Sequence, residues 1–98
     1  MNSLTVDAQS NVVSLSGELS FSTVKQVLEE STTLFSPIID LDIDLSKVNR
    51  SDSAGLALLV HWMRVAKQEN KKIVFHNIPS QMLAIADASG LNELLPIQ

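Results

Sequence analysis

The chain has 98 residues, a formal net charge of −4 at pH 7 and no cysteine. One domain of this size buries roughly 60–70% of the surface its unfolded chain exposes and folds without staples. The acidic balance excludes the lysine and arginine stripe of a nucleic-acid footprint, and the missing thiols exclude disulfides, thiolate metal sites and thiol chemistry, as suits a reducing compartment.

The N-terminus lacks the basic and apolar pattern of an export signal. The longest apolar run, Leu56 to Val60, is far short of the ~20 residues of a membrane span. A soluble, cytoplasmic protein without direct membrane insertion is expected. Leu4 to Val6 and Val12 to Leu15 read as short strands joined by a polar hairpin loop, Asp7 to Asn11, and Gly17 reads as the break that ends the second. From about Ser22, Val24, Val27, Leu28, Leu34 and Phe35 follow helical spacing until Ser36-Pro37 stops it.

Asp40 to Leu45 alternates without exception, with Leu41, Ile43 and Leu45 on one face and Asp40, Asp42 and Asp44 on the other, which is a half-buried strand. A loop through Asn49 and Arg50 then leads into a second helix, from about Ser53 to Glu69. After the polar turn Asn70-Lys71-Lys72 comes a strand at Ile73 to Phe75, so strand, helix and strand imply a parallel crossover. Pro79-Ser80 starts a third helix whose buried side is Met82, Leu83, Ile85 and Ala86, capped at Gly90. Leu91, Leu94 and Leu95 close the core. The order β, β, α, β, α, β, α describes a mixed sheet with helices packed against it.

The second helix has an unusually wide apolar arc. Leu56, Leu59, Val60 and Met63 form one stripe, Leu58, Trp62 and Val65 a neighbouring one, and only His61, Arg64 and Gln68 a clear polar face. Such an arc either packs against both the sheet and another helix or leaves part of itself for a partner.

Ser53 is the residue to which the local chemistry points. Small neighbours, Ala54 and Gly55, leave its hydroxyl accessible, and the opening helical turn supplies unpaired backbone N–H groups. It reads both as the helix N-cap, which contributes about 1 kcal/mol, and as a docking or phosphate-accepting hydroxyl whose modification changes binding. It does not read as a catalyst, because only carboxylates lie near it in sequence and an activated nucleophile needs a base. Asp40, Asp42, Asp44 and Asp52 lack the converging arrangement a hard cation needs. His61 and His76 have no partner visible in sequence, and the glycines Gly17, Gly55 and Gly90 are too scattered for a phosphate loop.

The pattern D-L-S-x-V-x-x-x-D-S-x-G-L, carried by Asp44, Leu45, Ser46, Val48, Asp52, Ser53, Gly55 and Leu56, resembles the signature of STAS domains. That family includes anti-sigma factor antagonists and the cytoplasmic tails of sulfate transporters. The resemblance spans nearly the whole chain: Ser16-Gly17-Glu18-Leu19 matches the family's early S-G-E-L-D element, with Ser20 in place of the aspartate. The stretch DSAGLALLVHWMRVAKQENKKIVFHNIP is most similar to proteobacterial single-domain members associated with ABC phospholipid transport. The shared features are A-L-L-V after the glycine-leucine pair, Asn77-Ile78-Pro79 after the fourth strand, and Leu94-Leu95 near the end.

The resemblance implies an α/β fold, a single STAS domain over residues 1–98 with a mixed four- to five-stranded sheet and three to four helices. It implies a non-enzymatic cytoplasmic subunit, free of cofactor and metal, that binds the ATPase of an ABC phospholipid transporter, and through it the permease complex at the inner membrane, and supports assembly and activity. The docking surface would comprise Asp52, Ser53, Ala54 and Gly55, with apolar area from Leu58, Trp62, Met82 and Ile85. The alternative is an anti-sigma factor antagonist regulated by phosphorylation at Ser53. Such proteins generally carry two adjacent hydroxyl residues, whereas Ala54 here leaves Ser53 as the single acceptor.

Overall fold

A computed structural model describes residues 3–7 and 10–97. Its elements run β1 (Ser3–Val6), β2 (Val12–Leu19), α1 (Val24–Phe35), β3 (Asp40–Ser51), α2 (Ser53–Gln68), β4 (Lys72–His76) and α3 (Ser80–Ala88). The four strands form one sheet in the order β1-β2-β3-β4, antiparallel between β1 and β2 and parallel elsewhere. The chain end begins to extend the β4 edge, where Phe75 N–H donates to the Pro96 carbonyl at 2.8 Å. Of the hairpin loop, Ala8 and Gln9 lie outside the described residues; Asn11 turns the chain in the left-handed region at φ 59°.

The alternation in β2 and β3 sorts the side chains. Val13, Leu15, Leu19, Leu41, Ile43, Leu45 and Phe75 are buried in a single core with residues of the three helices. Ser14, Ser16, Asp42, Asp44 and His76 on the opposite face keep partial exposure. α2 is the central helix. It packs against α1, α3, β3 and β4, which accounts for its wide apolar arc: Leu56, Leu58, Leu59, Trp62 and Ala66 are buried. The asparagine Asn70 ends it in the left-handed region at φ 57°, with Lys71 N–H reaching back to the Ala66 carbonyl at 2.8 Å. Gly90, at φ 71°, ends α3 in the same way, with Leu91 N–H bonded to the Ala86 carbonyl at 2.8 Å.

The second half of the sheet departs from the sequence reading. Gly17 does not end β2; it lies inside the strand at φ 94°. β3 continues through Asn49 and Arg50, the expected loop, to Ser51. The pairs Ser14↔Asp44, Ser16↔Lys47, Gly17↔Val48 and Glu18↔Arg50 require two extra residues in β3. These irregularities move the buried phase from Leu45 to Val48, so the alternation stops while the strand does not. Gly17 absorbs the bend on the partner strand.

Other corrections concern which apolar groups are core. Met82 and Ala86 face inward on α3, but Leu83 is exposed. Leu94 is 66% exposed, so of the terminal leucines Leu95 is the buried one. Leu58, Trp62 and Met82, expected to lend apolar area to a docking surface, are buried within the folded chain. Trp62 is 3% exposed. Its indole N–H donates to Ser31 Oγ at 2.9 Å, and its ring meets Phe35 with centroids 5.1 Å apart. Ile85 is half-buried.

Candidate functional site

The C-terminal ends of the parallel strands β2 and β3 open onto a cleft at the start of α2, the place where open α/β sheets present their loops. Asp52 organises it. Its backbone is extended, at φ −132° and ψ −167°, and it, not Ser53, is the N-cap of α2. The Oδ1 atom accepts from Ala54 N–H at 2.9 Å, and Oδ2 accepts from Phe21 N–H in the β2–α1 loop at 3.2 Å. The Asp52 N–H donates to the Leu19 carbonyl at 3.3 Å. One side chain thus ties the end of β2, the following loop and the first turn of α2 together.

Gly55 is required by the closeness of that junction. A Cβ there would sit 2.7 Å from the Leu19 carbonyl oxygen and 3.2 Å from both Leu19 Cγ and Met82 Cε. Ser53, freed from capping, occupies the first helical position and is exposed, and its hydroxyl has no hydrogen bond among the described residues. Ala54, beside it, is half-buried.

The cleft is lined by Glu18, Ser20, Phe21, Ser22, Arg50, Ser51, Asp52 and Gln81 and has a volume of about 540 Å³. Glu18 Oε2 accepts from Ser20 Oγ at 2.6 Å and from Ser22 Oγ at 3.4 Å. Arg50 Nη1 stands 3.9 Å from Glu18 Oε1, a pair too exposed to contribute much. The Ser51 hydroxyl is buried with no partner among the described residues. The structure therefore gathers Asp52, Ser53, Ala54 and Gly55 at one end of the sheet and leaves Leu58 and Trp62 beneath the surface. Phe21 is a cleft residue that the sequence does not single out, and Glu18, known there only as part of the S-G-E-L element, joins it in the cleft. The available signal was a lone aromatic in a serine-rich stretch between a strand and a helix.

The acidic face lies elsewhere. Asp44 accepts from Ser46 N–H, Ser46 Oγ and Asn77 Nδ2, each at 3.0 Å. The Asn77 bond, with help from Ser46 and the nearby His76, holds the Asp44 carboxyl below the usual range, although partial burial opposes this. His76 Nε2 is 3.0 Å from Asp42 Oδ1, so His76 does have a partner. Among the described residues no three histidine or acidic side chains converge as a metal site would require.

A family model described as "Mlab, STAS domain" matches residues 3–96. The chain is 34% identical over 85 residues to the intermembrane phospholipid transport system binding protein MlaB of Haemophilus influenzae, covering 81% of this chain and 79% of that one. It is 35% identical over 49 residues to the protein of the same name from Escherichia coli, where the match spans half the length of each. Among solved structures, the anti-sigma factor antagonist SpoIIAA of Bacillus in its unphosphorylated form superposes with a TM-score of 0.73 at 18% identity. That match covers 100% of this chain and 88% of SpoIIAA, a likeness of fold.

Proposed function

The chain belongs to the MlaB-type STAS domain family, and from that premise we propose that it is a non-catalytic subunit that docks on the cytoplasmic ATPase of an ABC phospholipid transporter. The N-terminal end of α2, where Ser53 is exposed, is the contact, and the ATPase joins it to the permease complex. One observation carries the choice of surface. Of the residues that carry the motif, Asp44, Leu45, Ser46, Val48, Asp52, Ser53, Gly55 and Leu56, all but Ser53 have a task inside the chain. Leu45, Val48 and Leu56 are core; Asp44 and Ser46 bond each other; Asp52 caps α2 and Gly55 admits the close approach of Leu19. Among these motif residues Ser53 alone is turned outward with no hydrogen bond from its hydroxyl among the described residues, so nothing within the fold calls for a hydroxyl there.

The chemistry of the cleft supports binding over catalysis. Asp52, the carboxylate nearest in sequence to Ser53, already accepts from two backbone N–H groups, and the neighbouring cleft is lined by no histidine or lysine, so it offers Ser53 no imidazole or amine base. No described helix is long and apolar enough to cross a membrane, and attachment through the ATPase supplies the membrane association. Docking on one conformation of the ATPase shifts its population by the differential affinity and by no more.

The test is purification of the chain from its own cells in mild detergent, wild type beside Ser53→Glu, with partners identified by mass spectrometry. An ABC ATPase with its permease is expected with the wild type and is depleted roughly ten-fold or more by the buried charge. The variant should melt as the wild type does, because an acidic residue in a first helical turn suits the helix dipole. Recovery of a serine kinase or a sigma-factor regulator instead would sink this reading in favour of a phosphorylation switch.

A further inference from the structure

Phe21 is 86% exposed, more than any other large apolar side chain among the described residues. It sits on the rim of the cleft beside Asp52, in the loop between β2 and α1. The loop is fixed on both sides of it. Thr23 N–H and Val24 N–H donate to the Ser20 carbonyl at 3.0 and 2.9 Å. Ser20 N–H donates to Thr23 Oγ1 at 3.0 Å, and that hydroxyl donates to the Glu18 carbonyl at 2.9 Å. Phe21's own N–H is held by Asp52. The backbone beneath the phenyl ring is thus already ordered, so covering the ring costs the freedom of one aromatic side chain and little more.

We propose that Phe21 is the anchor of the docking surface, inserting into an apolar socket on the ABC ATPase whose rim carries basic residues. This rests on the docking role argued above for the Ser53 end. The charge of the partner follows from the charge here. Two carboxylates, Glu18 and Asp52, and one guanidinium, Arg50, line the cleft whose rim bears the ring, in a chain of net charge −4, so a basic rim is complementary and an acidic one repels. Asp52 connects the two halves of the surface, since the carboxylate that caps the turn bearing Ser53 also holds the loop bearing Phe21.

Calorimetric titration of the full chain against the purified ATPase subunit of the same organism's phospholipid-transporting ABC system tests the anchor. The proteins compared are wild type, Phe21→Ala, Phe21→Leu and Ser53→Glu, each with a melting curve. Phe21→Ala is expected to weaken binding roughly thirty-fold or more without moving the melting temperature, and Phe21→Leu to keep part of the affinity. Wild-type affinity should fall as salt rises from about 0.1 to about 0.5 M. Wild-type affinity in Phe21→Ala alongside a loss in Ser53→Glu would overturn the anchor and leave the docking role standing. Failure of the wild type to bind overturns the docking role and the anchor with it, and binding indifferent to salt overturns the basic rim.

Discussion

The first turn of α2 and its middle, around Trp62, differ in what they leave for a partner. Both attract attention in the sequence, one as a small-residue loop and the other as a doubly apolar arc. In the fold the arc is consumed: Leu58 and Trp62 are buried, and the indole is bonded to Ser31 and packed at a tilt against Phe35. The first turn keeps an exposed hydroxyl and a rigid junction with the β2–α1 loop. A wide apolar arc on a helix is therefore a statement about how many neighbours the helix has. Availability for docking is read from the places where tight packing and full hydrogen bonding leave a side chain outside.

Removing Trp62 attacks this contrast most directly. Trp62→Ala should cost about 3–5 kcal/mol, from the lost ring volume and the lost indole bond to Ser31 Oγ, which keeps its own bond to the Leu28 carbonyl, as read from urea unfolding. That is a large part of the ~5–15 kcal/mol of a typical domain, and near-wild-type stability would mean that the middle of α2 is surface after all. Gly55→Ala is the next largest. The gain of up to about 1 kcal/mol in helix propensity is set against a methyl 2.7 Å from a carbonyl oxygen that is itself held by Asp52 N–H. A net loss of about 1–2 kcal/mol is expected, seen as a lower urea midpoint at unchanged slope. A stabilised Gly55→Ala would show that the junction is loose.

Asp52→Ala is smaller, about 1 kcal/mol, the usual cost of a lost cap. Its signature is local: amide exchange should speed at Phe21 and Ala54, the two donors it releases, more than in β3. Equal protection at both amides would mean that the clamp does not hold the two halves together.

The same contrast explains how far the sequence can be read. The alternation of Leu41, Ile43 and Leu45 and the helical spacing of α2 reflect local burial, and both elements are where their periodicity places them. The end of β3 was hidden because its pairing with Glu18 and Leu19 is a non-local fact, and two extra residues erase the period that marks a strand. The cap was ambiguous because aspartate and serine both serve as caps; the extended backbone at Asp52 decides between them. Met82 and Trp62 could not be divided into core and interface by pattern, since both uses select the same apolar residues. Phe21 carries little signal of its own in the sequence, where a single aromatic is ordinary; its exposure and clamped backbone make it informative.

The smallest effect lies on the open face of the sheet, which contrasts with the Ser53 end in a different way. Asp44 there has acceptor sites filled by Asn77 and Ser46, so this face is polar but internally satisfied, whereas Ser53 is polar and unbonded. The Asn77 bond is the largest influence lowering the Asp44 pKa from its ordinary 3.8. A carboxylate whose pKa is lower in the folded state adds stability that is fully present above the unfolded value. That stability is lost as pH falls through the folded value. Between pH 7 and 5 the stability difference between wild type and Asn77→Ala should therefore be constant, and below about pH 4 it should shrink as Asp44 takes up its proton in both proteins. Urea midpoints measured across that range give the answer. A difference that persists unchanged to pH 2.5 would assign Asn77 to a charge-independent role at its turn, where it holds a left-handed backbone at φ 58°, and would remove the electrostatic account of this face.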